Sequence, residues 1–295
     1  MQQKANSECK VSIRLDARSV TVNRKNIALT PLVEPLIPAL LKVPDDVGKC
    51  MGVSFIPKKL DIVIVDEMGL KKVRAEERAI KDPDVKNITG SFFCGKEAIF
   101  LNPEGYTFTT SMDENSERYA NALNNSIRTF MINTAWHEAA HFNHYAYAPS
   151  FFTLDKGLTM TERFERLKKE RDKKSTLQQY RDMYILMKDF PKLQLHSVVW
   201  EGVARWVDRK LAEAYFGSEP QLKELWERPK GFSLIGKING VFNEKHELGD
   251  SFMDMVEGMT GANPVKIVLD NPPKSYLELF YPITYLMRLK KEKVI

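Results

Sequence analysis

Cysteine is scarce in this chain, with only Cys9, Cys50 and Cys94 among 295 residues. They are odd in number, widely spaced and without a Cys-x-x-Cys pair, which argues against a disulfide frame and against a thiolate zinc cage. Long apolar runs are missing too. The most apolar early stretch, from Pro31 to Leu41, is broken by Pro31, Pro35 and Pro38 and ends at Lys42, well short of the roughly 20 apolar residues of a spanning helix. The opening Met1-Gln-Gln-Lys-Ala-Asn-Ser-Glu8 has no apolar segment of the kind a secretory signal carries. Reduced thiols, no leader and no span predict a cytoplasmic protein with no membrane partner. An excess of one charge is also lacking: 44 basic against 39 acidic side chains leave +5. That permits weak attraction to polyanions but makes nucleic acid an unlikely partner. Internal repeats and low-complexity tracts are absent.

A 43% apolar and 28% charged composition is that of a globular protein able to bury a sizeable core. Val11-Ser-Ile-Arg-Leu15 alternates and Ser19-Val-Thr-Val22 reads as a second short strand. Residues 28–43 predict a proline-punctuated helix. Asp61-Ile-Val-Ile-Val-Asp66 is a β-branched run with the look of a buried strand, and a charged helix follows at 67–80. Ile88–Cys94 and Glu97–Leu101, joined around Gly95-Lys96, predict a hairpin. After about residue 112 the chain turns helical. Residues 116–147 predict one long helix or two, anchored by Tyr119, Leu123, Ile127, Phe130 and Met131. A capping box at Thr159-x-x-Glu162 opens a further helix, whose charged first half at 162–174 reads as a solvated face and which Pro191 closes. Another helix spans 196–216 and stops at Gly217. Residues 219–260 read as helical with breaks at Pro229, Gly231 and Gly240. Val265–Leu269 is a short strand or helix end, Asn271-Pro-Pro273 a turn, and 275–291 a terminal helix with a basic tail. The expected class is α+β: an N-terminal α/β part over 1–110 and a helical metal-binding part over 111–295, forming one catalytic unit with the sheet.

Three of the five histidines fall within eight residues, in His137-Glu-Ala-Ala-His141-Phe-Asn-His144. Two histidines four apart project from one face of a helix and can reach one ion. Glu138, about 100° around the axis, can meet a water on that ion. Neutral imidazoles are good zinc ligands, and a zinc-bound water needs a base for its proton. A His-acid-x-x-His pattern arises by accident in roughly 1% of chains of this composition, so the pattern predicts a zinc site with one ion per chain. His144 shares the face of His141 but lies about 10 Å along the axis from His137, which makes it a neighbour of the site. A catalytic zinc expects a third protein ligand. The candidate is Glu201 in Trp200-Glu-Gly-Val-Ala-Arg-Trp-Val-Asp208. It points away from the apolar stripe of Val199, Val203, Trp206 and Val207, and small residues at 197, 202, 204 and 212 would let another helix approach closely. His196 and His246 stay open as alternatives.

The pair His137-Glu-x-x-His141 and Trp200-Glu-Gly-Val-Ala-x-x-Val-Asp208 resembles the gluzincin metallopeptidases, in particular the peptidase MA-like group, over roughly residues 85–290. The resemblance implies a zincin-like fold, zinc on His137, His141 and Glu201, and Glu138 as general base. It also implies that Glu97–Asn102 is the sheet-edge strand that pairs with a peptide substrate. It further makes Tyr276, with Tyr281 or His246 as alternatives, the donor to the oxyanion. The match is partial. The 60-residue step from His141 to Glu201 is longer than in thermolysin-like and aminopeptidase members, and the Gly-x-Met-Glu-Asn signature of the latter is missing. Arg205 stands where thermolysin-like enzymes carry an orienting Asp, leaving Asp208 as the substitute unless Arg205 pairs with it or with Glu201. The expected function is a zinc-dependent peptidase. The rivals are a zinc-binding interaction protein without catalysis and, further off, a polyanion-associated protein using 163–174 and 288–293.

Overall fold

A computed structural model of the chain describes residues 9–78, 85, 88–93, 96–106, 111–149, 176–217 and 245–295. The capping box at Thr159, the charged run at 162–174, the breaks at Pro229, Gly231 and Gly240, and Cys94 lie outside the described residues. The protein is mixed α+β, mostly helical, with a small sheet. It divides into two compact units, Met1–Asn143 and His144–Ile295.

In the first unit, β1 (Lys10–Leu15), β4 (Lys59–Ile64), β6 (Ala98–Leu101) and β5 (Gly90–Phe93) form one sheet in that order; β1, β4 and β6 run parallel and β5 antiparallel to β6. Val63, Val65, Phe93, Ala98 and Phe100 pack with Leu70 on one side of the sheet. Ile62, Ile64, Ile99 and Leu101 are fully buried as well. With both faces covered, β4 and β6 take continuous apolar sequence. This corrects the expected position of Glu97–Asn102. Its strand lies inside the sheet, because four buried apolar residues are best shielded between two neighbours, and the edge falls to β5.

A separate hairpin, β2 (Ser19–Val22) and β3 (Lys25–Ala28), turns at Asn23 and Arg24, which have φ of 48° and 63°. The third strand delays the expected helix, which starts as α1 (Leu29–Val33), passes through a 3-10 turn and continues as α2 (Ile37–Met51). The charged helix forms as α3 (Glu67–Arg78), and 116–147 as one helix, α4 (Glu117–Tyr147). Tyr119, Leu123, Ile127 and Met131 are buried, while Phe130 is half-buried and packs on Tyr106 at 4.7 Å between ring centroids.

In the second unit, α5 (Thr176–Phe216) runs unbroken through Pro191, where a stop was expected. A proline deletes one hydrogen bond and crowds one carbonyl, which a helix of 41 residues accommodates. Beyond it lie α6 (Lys245–Thr260), α7 (Pro264–Asp270), α8 (Tyr276–Phe280) and α9 (Pro282–Lys291). Val265–Leu269 is helical because Asn263 caps the Val265 N–H and Pro264 opens the first turn. The expected terminal helix splits at Tyr281, whose φ of −130° and ψ of 80° are non-helical, as the residue before a proline tends to be. Among the described residues no helix is long and apolar enough to cross a membrane.

Candidate metal and hydrolytic site

In the first unit, the motif lies in the buried second half of α4. Its histidine rings are 4.6 Å apart at 87°, neighbours on one stripe of the helix. Glu138 is 9% exposed and His141 5%. Thr134, Glu138 and Phe142 form the adjoining stripe, and β5 lies across it. Phe92 stacks on Phe142 with centroids 4.7 Å apart and planes at 27°. At Gly90 the approach is closer still. A Cβ there would stand 2.4 Å from Thr134 Cγ2, 3.2 Å from Glu138 Cγ and 3.3 Å from Glu138 Oε1. Only glycine lets this strand rest on the helix at Glu138.

The direction of the β5 edge follows from its ladder. The Asn102 N–H donates to the Thr89 carbonyl at 2.7 Å, and Gly90 and Phe92 stand opposite Leu101 and Ile99. In an antiparallel pair such residues alternate with the hydrogen-bonded ones, so the N–H and C=O of Gly90 and Phe92 face away from β6. Among the described residues no strand takes that side.

In the second unit, Glu201 is half-buried on α5, and its carboxylate meets His246 Nε2 of α6 at 2.9 Å. The helices touch at the backbone immediately after Glu201. A Cβ on Gly202 would lie 2.4 Å from Gly249 Cα, and one on Gly249 would lie 2.3 Å from the Val198 carbonyl oxygen. Of the small residues around Glu201, Gly202 thus lets a second helix approach closely. Farther along, buried Arg209 donates from Nε and Nη2 to Asp250 at 3.1 and 2.9 Å and from Nη2 to Asp254 at 2.7 Å. Burial alone would lower the guanidinium pKa; the Asp250 hydrogen bonds and the charges of Asp250, Asp254 and Glu213 raise it instead.

The remaining candidates are spread over this unit. His144 is buried with its ring 5.3 Å from that of Trp200, beside the residue preceding Glu201. Asp208 is buried and faces Arg205, with 3.8 Å between Oδ1 and Nη1, the pairing the sequence left open. Tyr276 begins α8 behind its cap Ser275, half-buried and 5.9 Å from Phe280 between rings; burial raises its hydroxyl pKa. Sequence reasoning missed Gly90, since a glycine beside a hairpin reads first as turn chemistry. It left His246 as one of several options, because the 45-residue step between it and Glu201 hides their pairing.

No protein-family model, curated protein or solved structure matches the chain.

Proposed function

We propose that this chain is a zinc-dependent metallohydrolase of gluzincin type acting on peptide bonds. The observation that carries the reading is the surroundings of Glu138: a nearly buried carboxylate between the His137–His141 stripe and a sheet edge with outward-facing amide groups. The donor set fits zinc, since two neighbouring imidazoles and one carboxylate are a usual catalytic ligand set. His137, His141 and Glu201 would hold the ion, and His246 would orient the Glu201 carboxylate.

Zinc bound there would supply Lewis acidity, polarising the scissile carbonyl and acidifying a water. Glu138 takes the proton of the attacking water and returns it to the leaving amine. The outward N–H and C=O of Gly90 and Phe92 hold an extended peptide by strand addition. Tyr276, protonated at neutral pH, donates to the oxyanion. Asp208 and His144 support the helices around these groups.

The test is Glu138→Gln assayed against a pooled fluorogenic peptide library beside its metal content. The variant keeps zinc while hydrolysis falls by roughly 10²–10⁴-fold. Undiminished hydrolysis would overturn the mechanism, and zinc without hydrolysis in the wild type would identify a binding protein instead.

A further inference from the structure

α9 hides Pro282, Tyr285, Leu286 and Leu289. Its opposite side is not the polar surface such a helix usually turns to water. Ile283 and Met287, one turn apart, are 54% and 64% exposed. Leu277 of α8 is 58% exposed and is tied to this side, because the Thr284 hydroxyl donates to the carbonyls of Leu277 and Tyr281 at 3.3 and 2.8 Å. Scattered exposed aliphatics are ordinary, but adjacent ones on one face are not.

The charge around this face has one sign. The two acids of the segment from Lys274 onward are already engaged: Glu278 by Arg288 at 2.7 Å, and Glu292 by Lys274 and Arg288 at 2.9 Å each. Lys290, Lys291 and Lys293 are exposed and meet no carboxylate among the described residues. Lys290 and Lys291 follow Met287 by three and four residues, so they rim the apolar pair at its C-terminal end.

We propose that this face, with Leu277, Ile283 and Met287 inserted and Lys290, Lys291 and Lys293 around them, seats the protein on an anionic lipid surface. Aliphatic side chains on a convex helix find their counterpart in acyl chains, and lysine stems can lie along that boundary while the ammonium groups reach headgroup phosphates. Nucleic acid favours several aromatic platforms along a groove, whereas this face carries one exposed aromatic, Tyr281, among its aliphatic side chains. The expectation of no membrane partner rested on the lack of a spanning run; here the basic tail at 288–293 is visible in the sequence, but the apolar residues are split between two helices and no run of them stands out. The proposal is independent of the zinc reading.

The experiment is co-sedimentation of the full chain with phosphatidylcholine vesicles, with and without phosphatidylserine. The variants are Ile283→Ser/Met287→Ser and Lys290→Gln/Lys291→Gln/Lys293→Gln, each checked for unchanged circular dichroism and melting. Wild type pellets with the phosphatidylserine vesicles and not with neutral ones. Binding weakens with added salt, falls roughly 100-fold in the lysine variant and is lost in the serine variant. The proposal is overturned by absence of binding to anionic vesicles or by binding that both variants retain. It is equally overturned by concentration-dependent dimerisation that only the serine variant abolishes, or by binding to an acidic protein or oligonucleotide that needs the lysines but not Ile283 and Met287.

Discussion

Gly90 is the smallest part of the proposed site and sets its tolerance. With Thr134 Cγ2 only 2.4 Å from where its Cβ would be, Gly90→Ala pushes β5 away from Glu138 or turns the carboxylate. Displacement of about 1 Å in a catalytic group can cost on the order of 10² in rate. Gly90→Ala is therefore expected to lose about that much hydrolysis while keeping its zinc, and adding Thr134→Ser, which removes the clashing methyl, restores part of the rate. Unchanged hydrolysis in Gly90→Ala would remove β5 from the account. At a different residue, burial, helped by the charge of Asp45, pushes the Cys9 thiol up to about 11. A raised thiol pKa means less thiolate at neutral pH, so Cys9 should alkylate with iodoacetamide at roughly a hundredth the rate of a free cysteine. Peptide mapping by mass spectrometry measures this, and alkylation at the free-thiol rate would contradict the burial. At this scale the grouping of His137, Glu138 and His141 was legible because helix periodicity alone aligns them. Gly90 and His246 were not, because their importance comes from contacts across 48 and 45 positions of chain, to Glu138 and Glu201 respectively.

Between elements, α5 and α6 make the most sensitive contact. Gly202 and Gly249 meet backbone to backbone, so an added methyl has no flexible side chain to displace. Overpacking of this kind costs about 1–3 kcal/mol. Gly202→Ala should lower the unfolding midpoint accordingly in a denaturant titration, and a variant as stable as wild type would show that the helices part without cost. The same pair shows what local pattern conveys. Small residues around Glu201 announced a close neighbour without revealing which helix it was. β4, α3 and the β5–β6 hairpin were readable from β-branched runs, charge and turn residues. The rank of β6 inside the sheet was not, since strand order depends on which element covers which edge. Pro191 and Tyr281 mark the other limit. A proline signals a break, yet α5 continues through one while the terminal helix divides at another. The difference lies in the backbone before the ring: Tyr281 leaves the helical region, whereas the chain ahead of Pro191 stays helical.

At the scale of the whole molecule, each compact unit carries one part of the proposed chemistry. The first holds His137, Glu138, His141 and the β5 edge; the second holds Glu201 with its partner His246. The unit boundary falls inside α4, between Asn143 and His144. Composition could not have indicated it, since α4 is one unbroken helix through that point. On the proposed reading, His137, His141 and Glu201 bind a single zinc ion. Elemental analysis of protein purified without chelators or added metal tests it most directly, wild type beside Glu201→Ala. Wild type is expected to hold about one zinc per chain, and Glu201→Ala to lose it or bind it markedly more weakly, with the fold retained. A wild type that holds no zinc even when zinc is offered, or a Glu201→Ala variant that holds it as tightly, would rule out the zinc site on His137, His141 and Glu201.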